Sequence, residues 1–168
     1  MKTLVIVTHP NIHDSMVSKT WVHMLRQHPD RFTVHELYSE YPDGVIDVER
    51  EQALVEEHQN IVLQFPVYWF NCPPLLKQWC DEVLTYGWAY GSKGKAFENK
   101  KLGIAVSLGA PASEYSAEGS VGYTVAETLR PFELTANYIS ADYQPLFTFH
   151  TIDTYESYDE AAAQLVAD

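Results

Sequence analysis

Three apolar runs in this chain show almost no polar alternation: Leu4–Val5–Ile6–Val7, Ile61–Val62–Leu63, and the stretch from Lys101 to Leu108. A strand with one wet face alternates apolar and polar residues, whereas a strand covered on both faces does not. Each run therefore predicts a central strand with helices above and below. Helix-period segments separate them. Ser15 is placed to cap a helix carrying Val17, Trp21, Met24 and Leu25. Asp47 to Glu57 is amphipathic. Pro74 suits the first turn of a helix through Leu75, Leu76, Trp79, Val83 and Leu84. Tyr123 to Leu129 starts another helix, which Pro131 interrupts.

The remaining segments complete an alternating pattern. Phe32 to Tyr38 alternates and predicts an edge strand, Tyr138 to Leu146 a fifth strand, and Tyr155 to Val166 a closing helix capped by Asp153 or Thr154. Strands alternating with helices imply a parallel sheet with right-handed crossovers. The expected fold is α/β in one domain over residues 1–168. It is a flavodoxin-like doubly wound parallel sheet of five strands, order 2-1-3-4-5, with helices on both faces. Ligands in such sheets bind at the carboxyl edge, at the switch point between the first and third strands. The loops meeting there are Thr8–Ser15 and Pro66–Cys72.

Charge and cysteine content narrow the function. The 168 residues carry a formal net charge of −12, which argues against nucleic acid and anionic membranes as partners. An anionic cofactor must then be held by local amides and a few cations. The two cysteines, Cys72 and Cys80, form no zinc pattern or disulfide framework, so a reducing, cytoplasmic setting is expected. The apolar start is too short for a signal peptide and is broken at His9–Pro10–Asn11. No run approaches the roughly 20 apolar residues needed to span a bilayer.

The first loop, Thr8 to Ser15, precedes a helix N-terminus, where free amides and the helix dipole suit a phosphate. His9 and Ser15 would add hydrogen bonds, although the loop taken alone reads more readily as an ordinary strand-to-helix connection with a serine cap. His9 and His13 lie in this loop with Pro10 between them, so no metal site is expected. Neither G-x-G-x-x-G after a strand nor a P-loop is present, and Gly91 to Lys95 reads as a flexible turn. No nucleophile elbow points to a hydrolase. The second loop presents Tyr68 and Trp69 side by side, suited to a flat ligand. In the third, Ser107–Leu108–Gly109–Ala110 either lets backbone amides approach a ring edge, with Tyr115 nearby as a donor, or is a plain loop with Tyr115 as a surface aromatic. Tyr86, Trp88 and Tyr90 either wall a pocket or cover the core. Lys93, Lys95, Lys100 and Lys101 form either a solvated face or a dinucleotide phosphate receptor.

Taken together, these loops resemble the flavodoxin-fold NAD(P)H:quinone oxidoreductases of the DT-diaphorase type. The similarity is to the short bacterial members, including general-stress-type oxidoreductases and the ancillary flavoprotein of glutathione-gated potassium efflux. The resemblance rests on Gln64–Phe65–Pro66–Val67–Tyr68–Trp69–Phe70, continuing to Pro74–Leu75–Leu76–Lys77–Gln78–Trp79, on Leu129 to Ala136, and more weakly on His9–Pro10. It implies a flavin whose phosphate sits at His9, Ser15, Met16 and Val17. The ring would rest on Pro66, Val67, Tyr68, Trp69 and Phe70, with its pyrimidine edge at Ser107, Leu108, Gly109 and Ala110. Tyr115 matches the family tyrosine that hydrogen-bonds the flavin and is the expected catalytic residue. Mammalian members carry a histidine shortly after that tyrosine, where this chain has Val121. The lack of their long carboxyl-terminal extension favours FMN over FAD.

The implied activity is a two-electron, ping-pong hydride transfer from NAD(P)H through flavin N5 to a quinone or similar acceptor. The resemblance also implies a homodimer, with Tyr90 of each chain finishing the other's substrate pocket. The alternative is a flavin-binding regulatory subunit docked on a membrane potassium transporter. No ribose-reading motif selects NADH or NADPH.

Overall fold

The computed structural model describes residues 2–150. The helix expected over Tyr155 to Val166 lies outside the described residues. Strand β1 (Thr3–Val7) is flanked by β2 (Phe32–Glu36) and β3 (Asn60–Pro66), and β4 (Lys101–Ser107) extends the sheet beyond β3. All pairings are parallel, and the order is β2-β1-β3-β4-β5. Val5 stands in register with Val34 on one side and Val62 on the other. The predicted doubly wound order is therefore the observed one. β2 lies at the edge, as its alternation implied, and ends at Glu36 rather than Tyr38 because Leu37–Glu40 forms a single helical turn, α2.

The fifth position differs from expectation. It is filled by two short pieces, β5 (Asp142–Tyr143) and β6 (Phe147–Phe149), both parallel to β4. The interruption contains Pro145, which has no N–H for the ladder. Tyr138, expected to open this strand, instead ends a helix.

The helices are α1 (Val17–Arg26), α3 (Val48–Glu56), α4 (Pro74–Val83), the single-turn α5 (Val125–Thr128) and α6 (Arg130–Tyr138). Their starts follow the sequence. Ser15 Oγ accepts the Ser18 N–H at 3.0 Å, and Asp47 Oδ1 accepts that of Arg50 at 3.0 Å. Pro74 begins α4, and Thr124 with Glu127 forms a reciprocal capping box at α5. The break between α5 and α6 falls at Leu129, just before Pro131.

The period-two geometry of β1 divides the core between two faces. Leu4 and Ile6 join Leu63, Phe65 and Trp79 in the large cluster, while Val5 and Val7 pack with Val22 of α1. Burying each of these side chains contributes about 1.5–3 kcal/mol. This two-sided burial makes the sheet a rigid shelf whose carboxyl edge carries the loops. No helix among the described residues is long and apolar enough to cross a membrane.

Candidate functional site

Three loops converge at the carboxyl ends of β1, β3 and β4. The connection is direct: Thr8 N donates to Gln64 O at 2.8 Å, and Val67 N donates to Ser107 O at 2.9 Å. The loops enclose a cavity of about 610 Å³, within the range of roughly 300–1,000 Å³ usual for small-ligand sites.

The first loop contributes His9, Asn11, Asp14, Ser15 and Met16. It folds through a short 3-10 turn, Ile12–Asp14, before Ser15 caps α1. His9 Nδ1 accepts the Asn11 N–H at 3.1 Å, and the Asn11 side-chain amide donates to the Asp14 carboxylate. Burial pushes the His9 imidazole below its ordinary pKa. Its ring stands edge-on to Tyr68, with centroids 6.4 Å apart, which ties the first loop to the second. Val17, expected in the phosphate group, is fully buried behind the loop in the first turn of α1.

The second loop contributes Pro66, Val67 and Tyr68. Beyond them the chain reverses tightly. Tyr68 and Asn71 exchange backbone hydrogen bonds of 2.8 and 3.0 Å, and the two residues between them, Trp69 and Phe70, have φ of 48° and 61°. Both sit in the left-handed region that glycine and asparagine ordinarily occupy in such turns. The turn projects Trp69 into solvent at 93% exposure and leaves Phe70 half exposed. Neither lines the cavity; Phe70 lines a separate depression with Val121 and Tyr123. Burial, aided by Tyr38, raises the Tyr68 phenol.

The third loop contributes Ser107 and Gly109. Leu108 turns its side chain into the core at 1% exposure, while its N–H donates to Phe149 O at 2.8 Å. Ala110 and Tyr115 do not line the cavity. Burial raises the Tyr115 phenol, which keeps it a hydrogen-bond donor at neutral pH. His150 packs edge-on against Tyr115 with centroids 5.8 Å apart, and its Nδ1 pairs with Ala110 O at 3.2 Å. Tyr90 lies elsewhere, in an exposed groove with Leu84, Leu134 and Tyr138, its ring 5.3 Å from that of Tyr138.

Asn11, Asp14 and His150 were not singled out from the sequence. Asn11 and Asp14 lie within the recognised loop, so their position was the available signal. His150 arrives at the same sheet edge because β6 runs parallel to β4, a register hidden by the weak periodicity around Pro145.

The donor set suits a flavin carrying a phosphate. Amides and hydroxyls cluster at a helix start, the walls beside Pro66 and Tyr68 are apolar, and Ser107 and Gly109 bring backbone close to a ring edge. Thr8 Oγ1, fully buried at the base of the first loop, has no hydrogen-bond partner among the described residues. A second cavity of about 310 Å³ lies between α1 and the sheet, but its walls are apolar apart from Gln64 and offer little to orient a charged ligand.

A doubly wound sheet with three loops closing a phosphate-compatible cavity at the switch point defines a flavin- or nucleotide-binding class of α/β protein. The chain belongs to the flavodoxin-like fold family, whose profile matches residues 1–168. The NAD(P)H oxidoreductase YrkL of Bacillus subtilis (strain 168), uncharacterised, is 55% identical over 148 residues, covering 88% of this chain and 84% of that protein. General stress protein 14 of Treponema denticola, solved in complex with FMN, superposes with a TM-score of 0.91 at 61% identity over 99% of this chain and 97% of that one. An NADPH-quinone reductase from P. pentosaceus gives a TM-score of 0.87 at 35% identity over 99% and 95% of the two chains.

Proposed function

We propose that this protein is an FMN-dependent NAD(P)H oxidoreductase that delivers two electrons to a quinone or similar acceptor in a ping-pong cycle. The observation that carries the reading is the meeting of the first, second and third loops in one cavity. The FMN complex of the Treponema protein and the names of the other relatives support it.

A bound flavin supplies the hydride chemistry, and the protein supplies position and electrostatics. Ser15 and the amides of the first loop would hold the phosphate. Pro66, Val67 and Tyr68 would carry the ring. The backbone around Gly109 and the Tyr115 phenol would donate hydrogen bonds where negative charge develops. His150 and the edge of β6 hold that third loop in place. The half-open cavity admits donor and acceptor in turn.

In this reading the protein works in the cytoplasm as a homodimer. Tyr86, Leu134 and Tyr138 are 73%, 61% and 70% exposed around Tyr90. A contiguous apolar face of this kind is what a protein interface uses. Tyr90, outside its own cavity, would reach that of the partner.

The test is the visible spectrum of the purified protein before and after anaerobic NADPH or NADH. Flavin bands near roughly 375 and 450 nm that bleach within seconds are expected. Bound flavin that neither nucleotide bleaches would overturn the oxidoreductase reading. Failure to bind FMN or FAD would overturn the flavin reading as well.

A further inference from the structure

One imidazole holds both ends of the segment that leads to Tyr115. β6 runs parallel to β4 with Phe149 in register with Ser107, and Leu108 N donates to Phe149 O at 2.8 Å. His150, the next residue, therefore leaves the sheet beside the third loop. Its Nδ1 stands 3.2 Å from Ala110 O, and its ring meets that of Tyr115 edge-on with centroids 5.8 Å apart. A carbonyl oxygen only accepts, so Nδ1 carries a hydrogen in this contact whether the ring is neutral or charged.

Between these two contacts the backbone has little freedom. Pro111 fixes its own φ, at −66°, and lacks an N–H. Ala112–Glu114 forms one 3-10 turn, closed where Tyr115 N donates to Ala112 O at 3.1 Å. Beyond Tyr115 the loop returns onto this turn, with Val121 N donating to Glu114 O at 3.1 Å. Glycine at 119 permits the return, since a Cβ there would lie 2.3 Å from Glu114 O. The Tyr115 hydroxyl, by contrast, has no hydrogen-bond partner among the described residues.

We propose that His150 is a positioning residue: by holding Ala110 and the Tyr115 ring together it aims the Tyr115 hydroxyl, and so sets how strongly the site prefers reduced over oxidised flavin. The inference rests on the flavin reading and on the donor role of Tyr115 given above. A hydrogen bond to a developing charge depends steeply on direction and distance, so a shift of about 1 Å in its support matters even when that support never touches the ligand. The preference is a difference between two states of one cofactor. A general loss of packing weakens the binding of both states together and leaves the preference unchanged.

The experiment measures the midpoint potential of bound FMN by anaerobic redox titration, together with the dissociation constant of oxidised FMN. His150→Ala removes both contacts. It should lower the affinity for reduced relative to oxidised FMN roughly three- to tenfold, read as a more negative potential, while oxidised FMN binds within about twofold of wild type. In a Tyr115→Phe background the same substitution should shift the potential no further, because residues that act as a unit are not additive. His150→Asn, whose side-chain amide nitrogen stands where Nδ1 does, should give a potential between those of His150→Ala and wild type. If His150→Ala does not fold, His150→Asn carries the test, and its smaller shift should again vanish in the Tyr115→Phe background. An unchanged potential, or an equal shift with and without the Tyr115 hydroxyl, overturns the inference and leaves the flavin reading intact. A wild-type protein that binds no FMN overturns both.

Discussion

The indole N–H of Trp79 on α4 donates to one carboxylate oxygen of Glu51 on α3 at 2.8 Å, and neither side chain reaches solvent. The other oxygen accepts the Tyr41 hydroxyl at 2.6 Å and pairs with His35 Nε2 of β2 at 2.8 Å. A single buried carboxylate thus joins the edge strand, the loop after α2 and two helices. Burial pushes the Glu51 carboxyl up, but the hydrogen bonds from His35, Tyr41 and Trp79, with the attraction of His35, outweigh it and hold the group below its ordinary value. The same carboxylate raises Tyr41, whose burial is the larger cause.

Replacing Glu51 with Leu strands these donors and should cost about 3–5 kcal/mol in urea unfolding at neutral pH. The pH dependence follows from the depressed folded-state pKa. The stabilisation is present above the ordinary carboxylate value near pH 4.5 and is lost as pH falls through the lower folded value. Glu51→Gln should therefore lose less stability than the wild type on acidification. A parallel decline in both proteins would show that Glu51 is not the titrating group.

The turn at Trp69 and Phe70 holds bulky side chains at φ of 48° and 61°. Each such residue costs of order 1–3 kcal/mol, and strain of this kind persists where a site requires it. The double variant Trp69→Asn with Phe70→Gly gives the reversal its preferred residues. It should unfold at a temperature several degrees higher by circular dichroism, since about 1 kcal/mol moves a chain of this size by roughly 2–4 °C. The same variant should bind FMN more weakly and react more slowly with NAD(P)H. Higher stability with unchanged reduction would remove any role for this turn in the active site.

Tyr115 sits against His150 with its phenol held protonated by burial. Tyr115→Phe keeps the ring and its packing while deleting the donor. Stopped-flow reduction of bound flavin should slow by roughly tenfold or more, with a much smaller change in FMN dissociation constant. Because burial raises this phenol, the wild-type rate should show no Tyr115 titration between about pH 7 and pH 9. Unchanged reduction in the variant would sink the proposed role.

Much of the fold could be read because burial on both faces leaves a plain mark. Leu4–Val7 and Ile61–Leu63 are apolar throughout, and both proved central. Ser15, Asp47 and Pro74 marked helix starts through local chemistry. The fifth strand was less legible, since its pairing with β4 is long-range and Pro145 divides it. At the site, loop positions placed His9, Ser15, Tyr68, Ser107 and Gly109 at one cavity. Side-chain direction was beyond the pattern. Nothing in the spacing shows that Trp69 points into solvent, that Leu108 turns inward, or that His150 meets Tyr115. The Glu51 cluster was likewise invisible, because His35, Tyr41, Glu51 and Trp79 meet only after the sheet and both helices are assembled.

Gln64 offers a last test, of stability without function. Its side chain is 2% exposed on the central strand β3, and its Nε2 has no hydrogen-bond partner among the described residues. It lines the apolar cavity behind α1 beside Val5, Val62 and Ala105. An unsatisfied buried donor costs about 1–3 kcal/mol, whereas a leucine of similar breadth meets those walls favourably. Gln64→Leu should raise stability by about 1–2 kcal/mol in urea unfolding. The backbone carbonyl that accepts Thr8 N–H at 2.8 Å is untouched, so FMN affinity should not change. Gln64→Ala should lose stability instead, because it enlarges the cavity. Destabilisation by both substitutions would mean that the Gln64 amide is satisfied in solution, and weaker FMN binding by Gln64→Leu would couple this cavity to the site.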